Sequence, residues 1–447
     1  MKLKFIVIQV LLVLVFFFVE IGSSFSGKEG SGRANDYQGN VLNLSINNDI
    51  TSFKGSENLD RVIENFRRKY KIKGLSVAVT KEGRLVYAKG FGYADVGQAV
   101  QTEPWHVYRL ASVSKLITAI AVMKLYEDEK LDLDEKVFGP EGILNDSRYM
   151  NYVDKRIEDI TIRHLLTHTA GWSARHGDPM FMPHQVARKT KSGLPVDVES
   201  IIEFALTRKL NFRPGSRYAY SNLGYAILGK IIEVRSGMAY DDYVKLAILN
   251  PLGIYHMQLG GSFADEKADR EVSYYEAYRT RKVLSFADNK ELVPQAYGGT
   301  DIHTLGAAGG WIGSPIEVLK LMAAVDGRDS SPDMLDPQTI SLMTNRGRSG
   351  RGMFGWKGSD GYGTWWRTGT LTGNAALVVR QNNDINWVIL LNTSTYKRSR
   401  IHSELSRTMF HAVASVKKWP EYDLFEYRNP VWITPEYLSE HQSQAGI

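Results

Sequence analysis

Ser112-Val113-Ser114-Lys115 stands immediately before an apolar stretch in which Leu116, Ala119, Ile120 and Met123 recur at spacings of three and four, the pattern of a helix. With Ser112 opening that helix, the i, i+3 spacing puts the Lys115 amine within reach of the Ser112 hydroxyl. The partial positive charge at a helix N-terminus stabilises a developing alkoxide, and burial beside it pushes a lysine toward the neutral form that can act as a base. The chemistry is attack by a serine on a carbonyl. The same Ser-x-x-Lys pattern recurs at Ser394 to Lys397 and Ser415 to Lys418. The first of these follows a strand end and the second sits late in a terminal helix, so neither is placed to open a buried helix.

Two further groups suit the same chemistry. Tyr220-Ser221-Asn222 follows the turn signal Phe212-Arg213-Pro214-Gly215-Ser216 and precedes a helix-like run from Leu223 to Val234. A tyrosine there can relay the serine proton, and the Asn222 amide can donate to a substrate carbonyl; the structural alternative is a tyrosine packed at a helix start. Arg367-Thr368-Gly369-Thr370, followed by Gly373, reads as a strand on which glycine admits a substrate backbone. The Ser112 and Thr370 N–H groups would form an oxyanion hole, and Arg367 would supply fixed positive charge for a carboxylate. The alternative is an edge strand with a glycine bulge.

These residues need a scaffold. Leu59, Ile63, Phe66 and Tyr70 recur at helical spacing. The runs Leu75 to Thr80 and Leu85 to Phe91, joined through Gly83, read as a hairpin, and Ala375 to Val379 with Trp387 to Leu391 as a second one. The stretch between the hairpins is mostly helical in pattern, and Ile401 to Val416 reads as a closing helix. Ser314-Pro315-Ile316-Glu317 is a helix start with serine as N-cap. Hairpins at both ends with helices between imply an α+β fold. An antiparallel sheet is closed by N- and C-terminal hairpins and flanked by helices, with an inserted, mainly helical lobe and a cleft between the two.

The 447 residues, 43% hydrophobic and 23% charged, describe a globular chain. It has no cysteine, which excludes disulfides, thiolate metal sites, a cysteine nucleophile and a lipidated N-terminal cysteine. The net charge of +6 is spread among 49 acidic residues, without the clustered basic face of a nucleic-acid binder. Lys2 and Lys4, the apolar run Phe5 to Val19 and the small residues Gly22, Ser23, Ser24 and Ser26 have the three parts of a secretory signal, and the run is shorter than the ~20 residues of a membrane span. The expected organisation is a signal at 1–24, a flexible polar leader at 25–56, the folded unit at 57–420 and a proline-broken aromatic tail at 421–447. A secreted or periplasmic protein without a stable membrane anchor follows. Asn43, Asn145 and Asn392 head N-glycosylation triplets, with Asn392 at the end of an apolar run. His164 and His168 are four apart. Without an HExxH signature they read as packing and capping histidines rather than zinc ligands. There is no G-x-S-x-G elbow.

Taken in this order, the three motifs resemble those of the serine β-lactamase and penicillin-binding-protein superfamily. The branch is that of class C β-lactamases, D-alanyl-D-alanine carboxypeptidases, D-aminopeptidases and related esterases (peptidase S12-type). The resemblance runs from about Glu57 to Lys418 and includes His164 to Gly171, Pro214 to Gly229 and Ala307 to Trp311. It implies Ser112 as acylated nucleophile, Lys115 as its partner, Tyr220 and Asn222 as the second catalytic motif and Arg367, Thr368 and Gly369 on the third. The implied reaction on an amide, ester or lactam carbonyl passes through an acyl-serine and needs no cofactor. The base is either Lys115 or Tyr220. The third motif departs from the family, where lysine or histidine is usual, because Arg367 keeps charge but does not shuttle protons at neutral pH. A second form is a secreted protein of weak or no activity that uses the fold among extracellular matrix partners, as in gigasin-type proteins of molluscan shell.

Overall fold

The computed structural model describes residues 46–276, 282–344 and 352–427. The expected signal, Asn43 and the tail beyond residue 427 lie outside them.

The main sheet is built from β1 (Gly74–Lys81), β2 (Arg84–Asp95) and β3 (Val100–Gln101) at the N-terminal end of the fold. Between them and the later strands come, among the described residues, five short ones. Of these, β8 (Trp311–Gly313) lies between β4 (Tyr108–Arg109) and β5 (Gln258–Leu259), and β6 (Lys282–Leu284) pairs with β7 (Leu292–Pro294). The main sheet is completed by β9 (Gly358–Ser359), β10 (Trp365–Leu371), β11 (Asn374–Arg380) and β12 (Ile385–Leu391). Its seven antiparallel strands have the order β3-β2-β1-β12-β11-β10-β9. The first hairpin joins the last strand through β1 and β12, in register from Leu75↔Leu391 to Lys81↔Ile385. This is the closure of one sheet by both ends that the two hairpins imply.

Alternation along the strands assigns the faces. Leu75, Val77 and Val79 of β1 and Trp387, Ile389 and Leu391 of β12 form one core with Leu59, Ile63 and Phe66 of α1 (Ser56–Lys69) and with Leu405 and Met409 of the closing helix Ile401–Ala414. The opposite parity meets the helical lobe. Both faces are covered, so β1 and β12 read as nearly unbroken apolar runs.

The lobe contains α2 (Ser114–Glu127), α3 (Ile162–Leu166), α4 (Pro183–Thr190), α5 (Val198–Leu206), α6 (Asn222–Ser236), α7 (Tyr240–Val244), α8 (Ile302–Gly309), α9 (Pro315–Ala323) and α10 (Pro337–Thr344); the closing helix is α11. Of these, α2 is buried on nearly every side, the signature of a core helix. Its buried hydroxyls are bonded: Ser114 Oγ accepts from Trp311 N–H, and Thr118 Oγ1 donates to the Ala307 carbonyl. The Ser314 to Glu317 start forms a full capping box on α9, and His164 forms one with Thr161 on α3.

Two boundary details differ from the sequence pattern. Ile46 is buried, and Asn48 bonds Gly90 N–H and the Thr102 carbonyl, so 46–55 is docked on the sheet rather than free. At the other end Asp423 accepts from Leu85 N–H while Leu424 and Phe425 are buried. Among the described residues no helix is long and apolar enough to cross a membrane.

Candidate active site

Ser112 does not open α2. It sits in a 3-10 turn, Ala111–Val113, that runs into the helix at Ser114. Ala111 adopts a left-handed φ of 49°, a strained conformation for a residue with a Cβ. The strain aims Ser112 out of the helix axis, half-buried at the cleft.

The hydroxyl of Ser112 meets Tyr220, with Oγ and Oη 2.7 Å apart. Tyr220 is delivered by an extended segment tied down on both sides. Ala219 N–H donates to the His168 carbonyl, Ser221 N–H donates to His168 Nδ1, and Ser221 Oγ caps α6 at Gly224. The His168 ring lies against the Tyr220 ring with centroids 4.7 Å apart. Burial, with Arg367 and Lys115 nearby, drives His168 well below its ordinary pKa. It is therefore neutral and supports the tyrosine segment as a hydrogen-bond acceptor.

Lys115, in the first turn of α2, is fully buried. The i, i+3 spacing predicts a direct pairing with Ser112. Instead its ammonium donates to Asn222 Oδ1 at 2.6 Å and to the Ala308 carbonyl, and lies 4.9 Å from the Tyr220 ring centroid. Asn222 in turn donates from Nδ2 to Asp178 Oδ2 at 2.7 Å. One amide hydrogen expected to face a substrate is thus taken by Asp178, which sequence reasoning missed.

Arg367 points inward from β10 and is 1% exposed. Its Nε donates to the Ser112 carbonyl at 2.7 Å, and Nη2 reaches Tyr220 Oη at 3.4 Å. The guanidinium is therefore committed to the nucleophile turn and the phenol rather than open to a carboxylate. Gly369 is also turned inward. A Cβ there would stand 2.2 Å from the Leu110 carbonyl oxygen and 3.2 Å from Ser112 N, so the missing side chain makes room for the chain's own nucleophile turn. Thr368 is half-buried and Thr370 exposed. Thr370 Oγ1 lies 3.4 Å from His402 Nε2 on α11.

The electrostatics concentrate here. Burial pulls the Lys115 amine down to about 8, with Arg367 adding to the effect and Tyr220 opposing it. Burial pushes the Tyr220 phenol up, but Lys115 and Arg367 outweigh it and bring it down to about 8. Two groups that ordinarily hold their protons at neutral pH are poised to exchange one beside a serine hydroxyl.

Among the glycosylation candidates, Asn145 is exposed. Asn392 is fully buried, its amide donating to the Tyr93 and Ala94 carbonyls and its Oδ1 accepting from Gly74 N–H, so it offers no acceptor nitrogen in the folded chain.

An antiparallel sheet carrying a third motif, a core helix carrying Ser-x-x-Lys and a Tyr-x-Asn segment between them define a β-lactamase and penicillin-binding-protein type of fold. The Beta-lactamase family model matches residues 59–407, and the chain belongs to that family. It is 29% identical over 250 residues to "Protein flp" of Staphylococcus aureus strain N315, covering 56% of this chain and 47% of that protein. It is 30% identical over 200 residues to penicillin-binding protein 4* of Bacillus subtilis strain 168, covering 44% and 40%. The matches thus span less than half the length of these relatives. Among solved structures, an octameric penicillin-binding protein homologue from Pyrococcus abyssi has TM-score 0.58 and 27% identity over 79% of this chain and 77% of the other. The D-amino acid amidase of Ochrobactrum anthropi SV3 with L-phenylalanine amide has TM-score 0.63 and 19% identity over 82% and 100%. EstCE1, a hydrolase with promiscuous acyltransferase activity, has TM-score 0.60 and 22% identity over 80% and 100%. The last two show the fold alone.

Proposed function

We propose that this chain is a secreted serine hydrolase that cleaves an amide, ester or lactam carbonyl through an acyl-Ser112 intermediate. The observation that carries the reading is the 2.7 Å contact of Ser112 Oγ with a Tyr220 hydroxyl whose proton is loosened by Lys115 and Arg367. Tyr220, as phenolate, takes the Ser112 proton while Oγ bonds to the substrate carbonyl carbon. The oxyanion is held by the Ser112 and Thr370 N–H groups. Collapse breaks the bond to the leaving amine or alcohol, which takes the proton back from Tyr220. Water then repeats the sequence on the acyl-serine, giving a free acid and restoring Ser112. Lys115 holds the field that keeps Tyr220 acidic. An activated serine hydroxyl is the chemistry of a carbonyl substrate, and the charged, apolar and small-residue order of residues 2–26 supports export.

A fluorophosphonate probe tests the reaction. Labelling of wild type, its loss in Ser112→Ala and mapping of the adduct to Ser112 are expected. Folded wild type that takes no label overturns the reading and favours the matrix-scaffold alternative. Export is tested by the N-terminus of the chain recovered from medium, expected near Ser24 or Ser26; retention in the cell with residue 1 intact overturns it.

A further inference from the structure

We propose that His402 is a positioning residue for the oxyanion site: its Nε2–H, donated to the Gly369 carbonyl, polarises the Gly369–Thr370 peptide and strengthens the Thr370 N–H that meets the substrate oxygen. This rests on the serine-hydrolase reading above. His402 stands in the first turn of α11, is 9% exposed and faces β10. Its Nε2 lies 3.1 Å from the Gly369 carbonyl oxygen and 3.4 Å from Thr370 Oγ1, and its Nδ1 lies 3.0 Å from the Ser399 carbonyl oxygen. Ala376, paired with Gly369 across β10 and β11, brings a second strand carbonyl against the ring. Burial, to which the Lys357 charge adds, holds the imidazole below its ordinary pKa against the pull of these carbonyls; Lys357 itself donates to Thr368 Oγ1 at 2.9 Å. A neutral ring carries one N–H. A bare Nε2 would set its lone pair against the two strand carbonyls, a costly buried contact. The proton therefore belongs on Nε2, and Nδ1 is left facing the single Ser399 carbonyl.

The bond matters because of which carbonyl receives it. The Gly369 carbonyl and the Thr370 N–H are the two ends of one planar peptide, joined by resonance through its C–N bond. A donor at the oxygen draws electron density toward it, leaves the nitrogen more positive and makes the N–H on the opposite side a stronger donor. Hydrogen bonds linked in this way strengthen one another by roughly 10–30%. Thr370 N–H is the strand's donor to the oxyanion, and Gly369 packs against the turn that supplies the other: a Cβ on it would stand 3.2 Å from Ser112 N. His402 thus touches neither the substrate nor the serine and acts through the peptide between them. The closing helix is held without this bond, since Ile401, Leu405, Met409, Ala412 and Val413 fix α11 in the core beneath β1 and β12. An imidazole in its buried first turn costs desolvation that an apolar side chain would not. Its alignment with this one peptide serves the step in which negative charge develops on the substrate oxygen.

The test follows phosphonylation of Ser112 by one alkyl fluorophosphonate on the full chain. It has two readouts: the second-order inactivation rate, and the infrared P=O stretch of the Ser112 adduct, whose oxygen takes the place of the oxyanion. Losing a whole oxyanion donor costs about 100- to 1000-fold, so losing roughly 10–30% of its strength costs about two- to eightfold. His402→Leu should slow inactivation by that factor and move the P=O stretch to higher frequency, the sign of a weaker hydrogen bond. His402→Gln, whose amide nitrogen reaches the place of Nε2, should restore both to wild-type values. Should the leucine variant not fold, His402→Asn carries the same expectation, because its shorter amide meets Ser399 instead of Gly369. A folded Leu or Asn variant whose stretch stays at the wild-type frequency overturns this inference whatever its rate, and leaves the hydrolase reading standing. So does a folded Gln variant that stays slow with a raised stretch, since a side chain that keeps the donor would then have failed to replace the ring. Absence of Ser112 labelling in folded wild type overturns both.

Discussion

Asp178 fixes the orientation of Asn222. Its Oδ2 accepts from Asn222 Nδ2 at 2.7 Å, which leaves Asn222 Oδ1 facing the Lys115 ammonium at 2.6 Å. With the amide flipped, two donors would confront each other beside a buried cation, a costly arrangement. Asp178 also contributes negative charge that raises the Lys115 pKa. Asp178→Ala should therefore slow fluorophosphonate inactivation about tenfold, since a charged hydrogen bond is worth that much. Asp178→Asn should move the pH midpoint of inactivation downward by removing only the charge. An unchanged rate and midpoint in both variants would remove Asp178 from the site.

The pH profile follows from the Lys115 and Tyr220 pair. Both titrate near 8 in the folded chain, against ordinary values of 10.5 and 10.0. Inactivation of Ser112 should rise with pH through an apparent midpoint near 8 that belongs to the pair, not to either residue. Tyr220→Phe should abolish the rise along with most of the rate. Stability shares the sign. Between about 8 and 10 the unfolded chain binds more protons than the folded one, so these groups make unfolding free energy increase with pH there, and their contribution is lost as pH falls through 8. Chemical denaturation of wild type and a Lys115→Met, Tyr220→Phe double variant at pH 7 and pH 9.5 measures this. A wild-type advantage that shrinks at the higher pH would contradict it.

Arg367 should act in the opposite electrical direction to Asp178. Its guanidinium lowers the pKa of both Lys115 and Tyr220, so Arg367→Met should shift the inactivation midpoint above 8. It should also destabilise the fold by about 1–3 kcal/mol, because the Ser112 carbonyl loses its donor where little water reaches. Arg367→Lys keeps the charge without the fork; it should hold the midpoint near that of wild type yet still lose stability. Urea unfolding and the pH profile together separate the two roles, and a midpoint unmoved in Arg367→Met would rule out the electrostatic one.

The chain order of the three motifs makes Ser112, Lys115, Tyr220, Asn222 and Arg367 legible from the sequence, and the two hairpins make the sheet legible. What stays hidden depends on through-space pairing. Asp178 lies in an irregular stretch, and its local signal, an aspartate before Pro179, reads only as a cap for the short turn Pro179–Phe181. Lys357 reaches Thr368 only because a two-residue strand pairs with β10, too short to leave a period in the sequence. The inward turn of Arg367 and Gly369 depends on which face of β10 meets the nucleophile turn, and strand alternation alone does not choose between faces. The 3-10 turn at Ser112 reads as helix because apolar spacing does not register a single left-handed residue at Ala111.

Gly369 offers the sharpest steric test. The strand and the nucleophile turn touch across it, since an added methyl would stand 2.2 Å from the Leu110 carbonyl oxygen, 3.2 Å from Ala111 Cβ and 3.2 Å from Ser112 N. Two of these three neighbours are backbone atoms, and the third is a Cβ fixed to the backbone, so no rotamer change relieves the clash. β10 or the turn must move, and either movement separates the Ser112 and Thr370 amides assigned to the oxyanion. Gly369→Ala should cost about 1–3 kcal/mol of stability. It should also lower Ser112 inactivation by about 100-fold or more, the scale of losing one oxyanion donor. At a temperature well below its melting transition the variant should remain folded by circular dichroism yet label slowly. Wild-type labelling in a folded Gly369→Ala chain would mean that the Thr370 amide lies outside the oxyanion site.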